Sequence, residues 1–390
     1  MDMFRRTFAE IDLDALAGNV RRLRAALSPR TFFCPMVKAN AYGHGDVGIA
    51  RALEKQGVRH LGVCLIEEGL LLRQAGIQSD ILVFRGFDRA GAEQILRHRM
   101  KPVVSTWEQI EDLEALATGA VNVHLKFDTG MNRLGFSTGE AQKLFDRFWQ
   151  NPKLRVEGLL THLWNGEDAG QADGDSAAQL RALRGAADRF KALSPAVHAL
   201  NSAGIVHRLD RAGEKADPSH PLEAMDWGCR PGLMIYGSNP VRPGFGCELE
   251  PVMNLRSHVA VYRTLAPGEG VSYGHTWKAS RDSVIAVVPI GYADGYHRLL
   301  SNRASALFAG ERAPVVGTIC MDYLMLDVTD AVKKKNLSPE KDQEVTLFGR
   351  SREGVLMPAE ELATHAGTIP WEIFTSVGER VPRVYKGGAA

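Results

Sequence analysis

The sequence predicts an α/β protein in which a (β/α)8 barrel of the TIM type precedes a C-terminal, mostly β domain. Three observations lead there. Strand-like and helix-like runs alternate from Thr31 to about Tyr236, with eight strands in all, which argues for a parallel sheet closed into a barrel. Beyond Asn239-Pro240-Val241-Arg242-Pro243-Gly244 the pattern changes to short alternating runs between turn residues, as in antiparallel β structure. The 390 residues suffice for two domains, one of them large. The division is placed so that 1–240 form the barrel and 241–390 the β domain. A strand at about 7–13 is surplus to the eight and is a candidate member of the β domain.

In chain order, 8–13 alternate as a short strand, and 13–27 carry apolar residues at helical spacing. Barrel strands are expected at 32–38, 60–66, 81–85, 102–105, 121–127, 156–162, 197–201 and around 233–236. Helical patterns separate most of them, as at 67–74, 107–117, 138–149 and 176–193, and Asp46 is a good N-cap for the helix after the first strand. Pro35 is the weak point of that strand because proline lacks a ladder donor; a bulge or a strand end accommodates it. Residues 210–221 are polar and contain proline, so they read as an exposed loop. In the second domain, alternating runs fall at 255–264, 283–289, 315–319, 323–328 and 344–347, with one helix at 358–366.

Hydrophobic residues make up 45% and charged residues 24%, the proportions of an ordinary soluble globular protein. With 47 basic and 46 acidic residues the net charge is +1, which supplies no footprint for nucleic acid or a membrane surface. Lys333-Lys334-Lys335 reads as a solvated face. The N-terminus lacks an apolar signal core and no segment approaches a membrane span, so the cytoplasm is the expected compartment. Five cysteines without C-x-x-C spacing make neither a disulfide framework nor a zinc site. The twelve histidines include no H-E-x-x-H, and no metal is expected.

The chemistry centres on Val37-Lys38-Ala39-Asn40-Ala41-Tyr42-Gly43-His44-Gly45. Lys38 falls where the first parallel strand ends, and barrel chemistry collects at that end. A lysine there, followed by a Gly-rich turn and the Tyr42 hydroxyl, suits a Schiff base with a phosphate held nearby; alone it is an ordinary surface lysine. The same letters contain G-x-G-x-x-G from Gly43 to Gly48, with Glu67 and Glu68 about twenty residues on, as in a dinucleotide site. That reading needs the first glycine at the strand's tip, whereas Gly43 comes several residues later.

Other candidates recur at strand ends. Alternation puts Lys126 and Asp128 on one face, and Arg133 suits a substrate carboxylate through its planar fork, or else a structural salt bridge. His162 ends the sixth strand. Ser202 after the seventh offers a hydroxyl and backbone N–H groups to a phosphate, or is a plain cap. In Trp227-Gly228-Cys229-Arg230-Pro231-Gly232-Leu233, a Pro-Gly turn feeds a buried strand, and Arg230 is either a salt-bridge partner or a functional cation beside the backbone N–H groups of Gly232 and Leu233. The β domain adds Gly270-Val271-Ser272-Tyr273-Gly274-His275, Ile290-Gly291-Tyr292-Ala293-Asp294 with Arg298, Gly317-Thr318-Ile319-Cys320-Met321-Asp322, and Arg380-Val381-Pro382-Arg383-Val384-Tyr385.

The stretch around Lys38 resembles the V-K-A-N-A-Y-G-H-G signature of alanine racemases, and the run from Arg230 to Gly237 resembles that family's R-P-G-[IL]-x-x-Y-G. Matches follow the family's order from residue 7 to 385. The resemblance implies an isomerase that interconverts L- and D-alanine by a two-base mechanism on a pyridoxal 5'-phosphate aldimine, supplying D-alanine for peptidoglycan or serving its catabolism. Lys38 then carries the cofactor and works one face of Cα. Tyr273 works the other face of the partner subunit's site in a homodimer with shared active sites. Racemisation needs acid–base groups on both faces of one carbon. A free tyrosine has a pKa of ~10, so nearby cations must favour its phenolate, with Arg230 acting through His162 as the source.

By the same resemblance, Tyr42, His162, Ser202, Arg230, Gly232, Leu233 and Tyr385 surround the cofactor. Arg133 and the Met321 backbone N–H hold the substrate carboxylate. Lys126 is the lysine that the family carbamylates, and Tyr292 and Arg298 line the entryway. Always protonated, Arg230 leaves the pyridine nitrogen unprotonated and the ring a weaker electron sink. Two other readings are weighed. A pyridoxal phosphate decarboxylase of basic amino acids would put an acid where Arg230 stands. A cofactor-binding protein without catalysis would usually lack the second domain and Tyr273.

Overall fold

The computed structural model describes residues 5–211, 217, 219–241, 248–338 and 343–388. They fall into a barrel unit, Ala17–Ala41 with Asp46–Leu249, and a β unit, Met1–Leu16 with Tyr42–Gly45 and Glu250–Ala389.

In the barrel unit, parallel strands His60–Val63, Asp80–Val83, Lys101–Val104, Val121–Asp128, Leu154–Leu160, Ala196–Leu200 and Gly228–Cys229 pair in chain order. Residues 32–37 close the ring. Cys34 N donates to Cys229 O (2.9 Å) and Cys229 N to Phe32 O (2.7 Å) on one side, while Val37 N donates to Gly62 O and Gly62 N to Pro35 O (both 2.8 Å) on the other. The expected strand at 32–38 is therefore present only as two isolated bridges, at Phe33 and Met36. Pro35 has no N–H to continue a ladder, so its carbonyl alone takes part.

The eighth strand also differs from expectation. It is Gly228–Cys229, and Leu233–Tyr236 forms a 3-10 turn. All four residues of that turn are fully buried, so their apolar run reports burial and not strand conformation. The helices Ile66–Gln74, Trp107–Leu116 and Ala141–Trp149 follow the expected pattern. The 176–193 run divides into helix Asp175–Ala187 and 3-10 turn Asp188–Leu193. Part of the 210–221 loop, and 242–244 of the domain junction, lie outside the described residues.

The β unit is built on a sheet in the order Glu311–Pro314, Ser305–Phe308, Glu344–Arg350, Met253–His258, Phe8–Asp12 and Arg383–Lys386, with Leu356–Met357 beside Glu344–Arg350. Phe8–Asp12 runs antiparallel to Met253–His258 and parallel to Arg383–Lys386. The 255–264 run is two strands: Met253–His258 stays in this sheet, and Val261–Leu265 pairs with Ser283–Val288 in a second one. The 315–319 run is a loop with one bridge, Val315 to Leu326, because Gly317 turns the chain at φ 74°. Among the described residues the unit also holds, besides Ala359–Ala366, two short helices, Thr329–Lys335 and Pro370–Ser376, that the alternation did not suggest. The three lysines lie in the last turn of the first, where the helix dipole favours cations.

Candidate active site

Lys38 is half-buried and begins a turn, Lys38–Tyr42, with left-handed backbone. Ala39, Asn40, Ala41 and Tyr42 all have φ between 51° and 53°. For L-residues each such position costs about 1–2 kcal/mol, so the surroundings must hold it. Glu68 does much of this. Its Oε1 accepts from Ala39 N (2.6 Å), and its Oε2 accepts from Cys64 N (2.7 Å) and Leu65 N (3.0 Å). Asn40 Oδ1 takes the Asp46 N–H (3.0 Å) at the start of helix Asp46–Lys55. Glu68 is thus committed to backbone amides, which takes one of the two acids, Glu67 and Glu68, away from a dinucleotide ribose.

Arg230 is buried inside the barrel. Nη1 donates to His198 Nδ1 (2.9 Å) and His198 O (2.7 Å), and Nη2 to Thr161 O (2.6 Å) and Ala199 O (3.3 Å). Arginine can only donate, so His198 Nδ1 is an acceptor and its proton sits on Nε2. That proton points at His124 Nδ1 (2.9 Å). Burial, followed by the Arg230 charge, holds His198 well below the ordinary imidazole range. Burial, then the charges of Lys101 and His60, brings His124 down to about 3. Both rings are neutral at physiological pH. Burial lowers Arg230 to about 10, which leaves it charged there. With Nη1 and Nη2 saturated, Nε–H is the donor that the described residues leave over.

The cations of this region act on one another. His162 is pushed down to about 3 by loss of solvation and then by Arg230, Arg133, Lys126 and Lys38. Lys126, buried, falls to about 8 through burial and then Arg133 and Arg230. Asp128 holds the Arg133 loop, its carboxylate accepting from Gly130 N (2.9 Å), Asn132 N (3.0 Å) and Arg133 N (2.7 Å). The Arg230 hydrogen bonds go to His198, Thr161 and Ala199; the expected link to His162 is electrostatic.

Ser202 opens helix Ser202–Asp210, and Asn201 caps it by accepting from Gly204 N (3.0 Å). Ser202 Oγ accepts from Gly232 N (3.1 Å), so two expected phosphate ligands stand side by side and bond to each other. Leu233 begins the adjoining 3-10 turn, where the first N–H groups lack intrahelical partners. In the β unit, Tyr385 Oη lies 3.4 Å from both His44 O and Gly45 O, and Arg383 Nε donates to Gly43 O (2.8 Å). A Cβ on Gly45 would run into the Tyr385 hydroxyl, so glycine is required there. Tyr42 is buried in the same turn.

The other β-unit candidates occupy loops. Tyr273 is 71% exposed at the tip between strands Gly270–Val271 and Trp277–Lys278, and Met321 is 52% exposed. Tyr292 and Arg298 each begin a 3-10 turn and are exposed. Sequence reasoning missed Glu68 as the anchor of the lysine turn and His198 as the acceptor for Arg230. The available signals were an acid at the third position of a helix and a histidine within an apolar strand.

The barrel residues fit pyridoxal phosphate, which brings a pyridine nitrogen that accepts, an aldehyde that takes an amine, and anionic oxygens. They supply a guanidinium Nε–H, a lysine at a strand end, a hydroxyl at a helix start and a surplus of positive charge. Known proteins resemble the chain over nearly its whole length. Residues 11–240 match the model of the alanine racemase N-terminal domain, and 252–385 that of the alanine racemase C-terminal domain. The chain is 40% identical over 400 residues to an alanine racemase of Sorangium cellulosum, covering 98% of this chain and 99% of that one. Among solved structures, an alanine racemase of Clostridium difficile 630 superposes with a TM-score of 0.85 at 30% identity, covering 99% of this chain and 97% of that one. The alanine racemase from Bartonella henselae with covalently bound pyridoxal phosphate gives 0.81 at 33% identity, over 98% and 99% of the two chains. Both domains and the whole length agree, and the chain belongs to the alanine racemase family.

Proposed function

We propose that this chain interconverts L- and D-alanine with pyridoxal phosphate joined to Lys38. The observation that carries this reading is Arg230, whose Nη1 and Nη2 are fixed to the barrel wall while Nε–H is left for a pyridine nitrogen. A cation there favours racemisation over reactions that need a protonated ring, and it argues against the decarboxylase, which calls for an acid.

Bound pyridoxal phosphate supplies the electron withdrawal that makes Cα–H acidic. The protein does the rest. Ser202, Gly232 and Leu233 would hold the phosphate from the barrel, a part that the family resemblance also gives to Tyr42 and Tyr385, and neutral His162 would pack beside the ring. Arg133 and the Met321 N–H orient the substrate carboxylate, with the buried Lys126 positioning Arg133 after carbamylation. The Lys38 amine moves a proton on one face of Cα, and the Tyr273 oxygen moves one on the other. Tyr292 and Arg298 restrict entry to small amino acids.

The exposure of Tyr273 and Met321 supports a homodimer in which each β domain, 241–390, completes the partner's site. Among the described residues no helix is long and apolar enough to cross a membrane, and the four described cysteines are free thiols, as in a reducing cytoplasm. D-Alanine made there suits peptidoglycan synthesis.

The test is to mix L-alanine, pyridoxal phosphate and the protein in D2O. Falling optical rotation with deuterium appearing at Cα is expected. Cofactor bound at Lys38 without exchange would overturn the reading, as would carbon dioxide and an amine released from lysine or ornithine.

A further inference from the structure

Tyr273 stands at the end of a two-residue-wide hairpin, yet an acid–base group must be held to within a fraction of an ångström. What fixes it is not the hairpin itself. Ser272, immediately before it, has φ 64°, a conformation that a non-glycine residue keeps only when its neighbours impose it. Ser272 Oγ donates to Thr318 O (2.5 Å) and lies 3.4 Å from Cys320 Sγ. From the opposite direction, Thr318 Oγ1 donates to Tyr273 O (3.0 Å). Thr318 therefore grips the residue before the base with its carbonyl and the base's own backbone with its hydroxyl. It is 6% exposed, whereas Tyr273 is 71% exposed.

The clamp extends further. Thr276 Oγ1 lies 3.4 Å from Thr318 Oγ1 and accepts from Asn302 Nδ2 (3.0 Å), while Asn302 Oδ1 accepts from Gly317 N (2.6 Å). Gly317 is left-handed, and a Cβ on it would strike Val271 O, so the two loops approach as closely as backbone allows. Met321 lies three residues beyond Thr318. One side chain thus ties the Tyr273 turn to the loop bearing the Met321 N–H.

We propose that Thr318 is a positioning residue for the second base: it locks the Tyr273 turn to the 317–321 loop, so that base and carboxylate donor are presented as one rigid pair. This rests on the roles given above to Tyr273 and Met321. Two readouts test it on the holoenzyme, namely Cα–H washout into D2O measured separately from each enantiomer of alanine, and amide hydrogen exchange of 271–276.

Tyr273→Phe defines which enantiomer's washout depends on the tyrosine. Thr318→Val should slow washout from that enantiomer by about five- to tenfold, the scale of one lost hydrogen bond, and leave the other within twofold. Exchange at 271–276 should speed up by a similar factor, and Thr318→Ser, which keeps the hydroxyl, should restore both. Equal slowing from both enantiomers, or no change in either readout, would overturn the proposal while leaving the base assignment intact. If Tyr273→Phe itself shows no enantiomer preference, the base assignment falls and the proposal with it.

Discussion

Lys126 shows how far burial and like charge can move one side chain. The ammonium is surrounded by protein and repelled by Arg133 and Arg230, so its pKa drops from 10.5 to about 8. Between those values the unfolded chain holds a proton that the native chain does not, so stability rises with pH across the window. Below about 8 both states carry the proton, and the native state bears the full penalty of a buried cation. In protein freed of carbon dioxide, where Lys126 is an unmodified amine, Lys126→Met removes the group, and its urea midpoint should lose this rise between pH 8 and pH 10.5. The same depression leaves an appreciable fraction of neutral amine near neutrality, the form that attacks carbon dioxide. Growth in 13C-bicarbonate should therefore give a carbamate carbonyl resonance that Lys126→Met abolishes; its absence from the parent protein would remove carbamylation from the account of Arg133.

At the scale of elements, the left-handed turn after Lys38 is the least expected piece of backbone, and nothing in its letters announces it. Ala39, Asn40 and Ala41 are unremarkable helix or loop residues, and hydrogen bonds made in the fold, such as Ala39 N to Glu68 and Asp46 N to Asn40, make the conformation tenable. Glu68→Gln keeps the size but turns one acceptor into a donor facing an N–H. It should lower unfolding free energy by about 1.5–3 kcal/mol and weaken cofactor retention, measured by urea unfolding and by bound pyridoxal phosphate after gel filtration. The elements that were legible are those where periodicity and burial agree, such as Trp107–Leu116, with Ile110 and Leu113 inward and Thr106 as its cap. The illegible ones break that link. Residues 233–236 are apolar because they are buried in a turn, and 32–37 serve as a strand although Pro35 deprives them of a ladder. The site divides in the same way. Lys38, Arg230 and Tyr273 lie in long motifs, whereas Glu68 and His198, and Thr318 although it sits in the Met321 motif, act through contacts that only the fold creates.

For the molecule as a whole the question is which chain completes which site. Tyr273 and Met321 are exposed on the β unit, and the cationic cluster of Lys38, Lys126, Arg133 and Arg230 belongs to the barrel unit. If two copies share their sites, a chain lacking Lys38 can still lend its tyrosine, and a chain lacking Tyr273 can still hold the cofactor. Lys38→Ala and Tyr273→Phe should each be nearly inactive alone. When the two are unfolded together and refolded in equal amounts, random pairing makes half the dimers mixed, and each mixed dimer has one site with both groups intact and one with neither. Activity should return to about a quarter of the parent value. A site built within one chain predicts no recovery, because no chain in the mixture carries both residues. The recovered activity should also fall on dilution with the same midpoint as the dimer measured by sedimentation, since separating the chains removes the tyrosine from every remaining site.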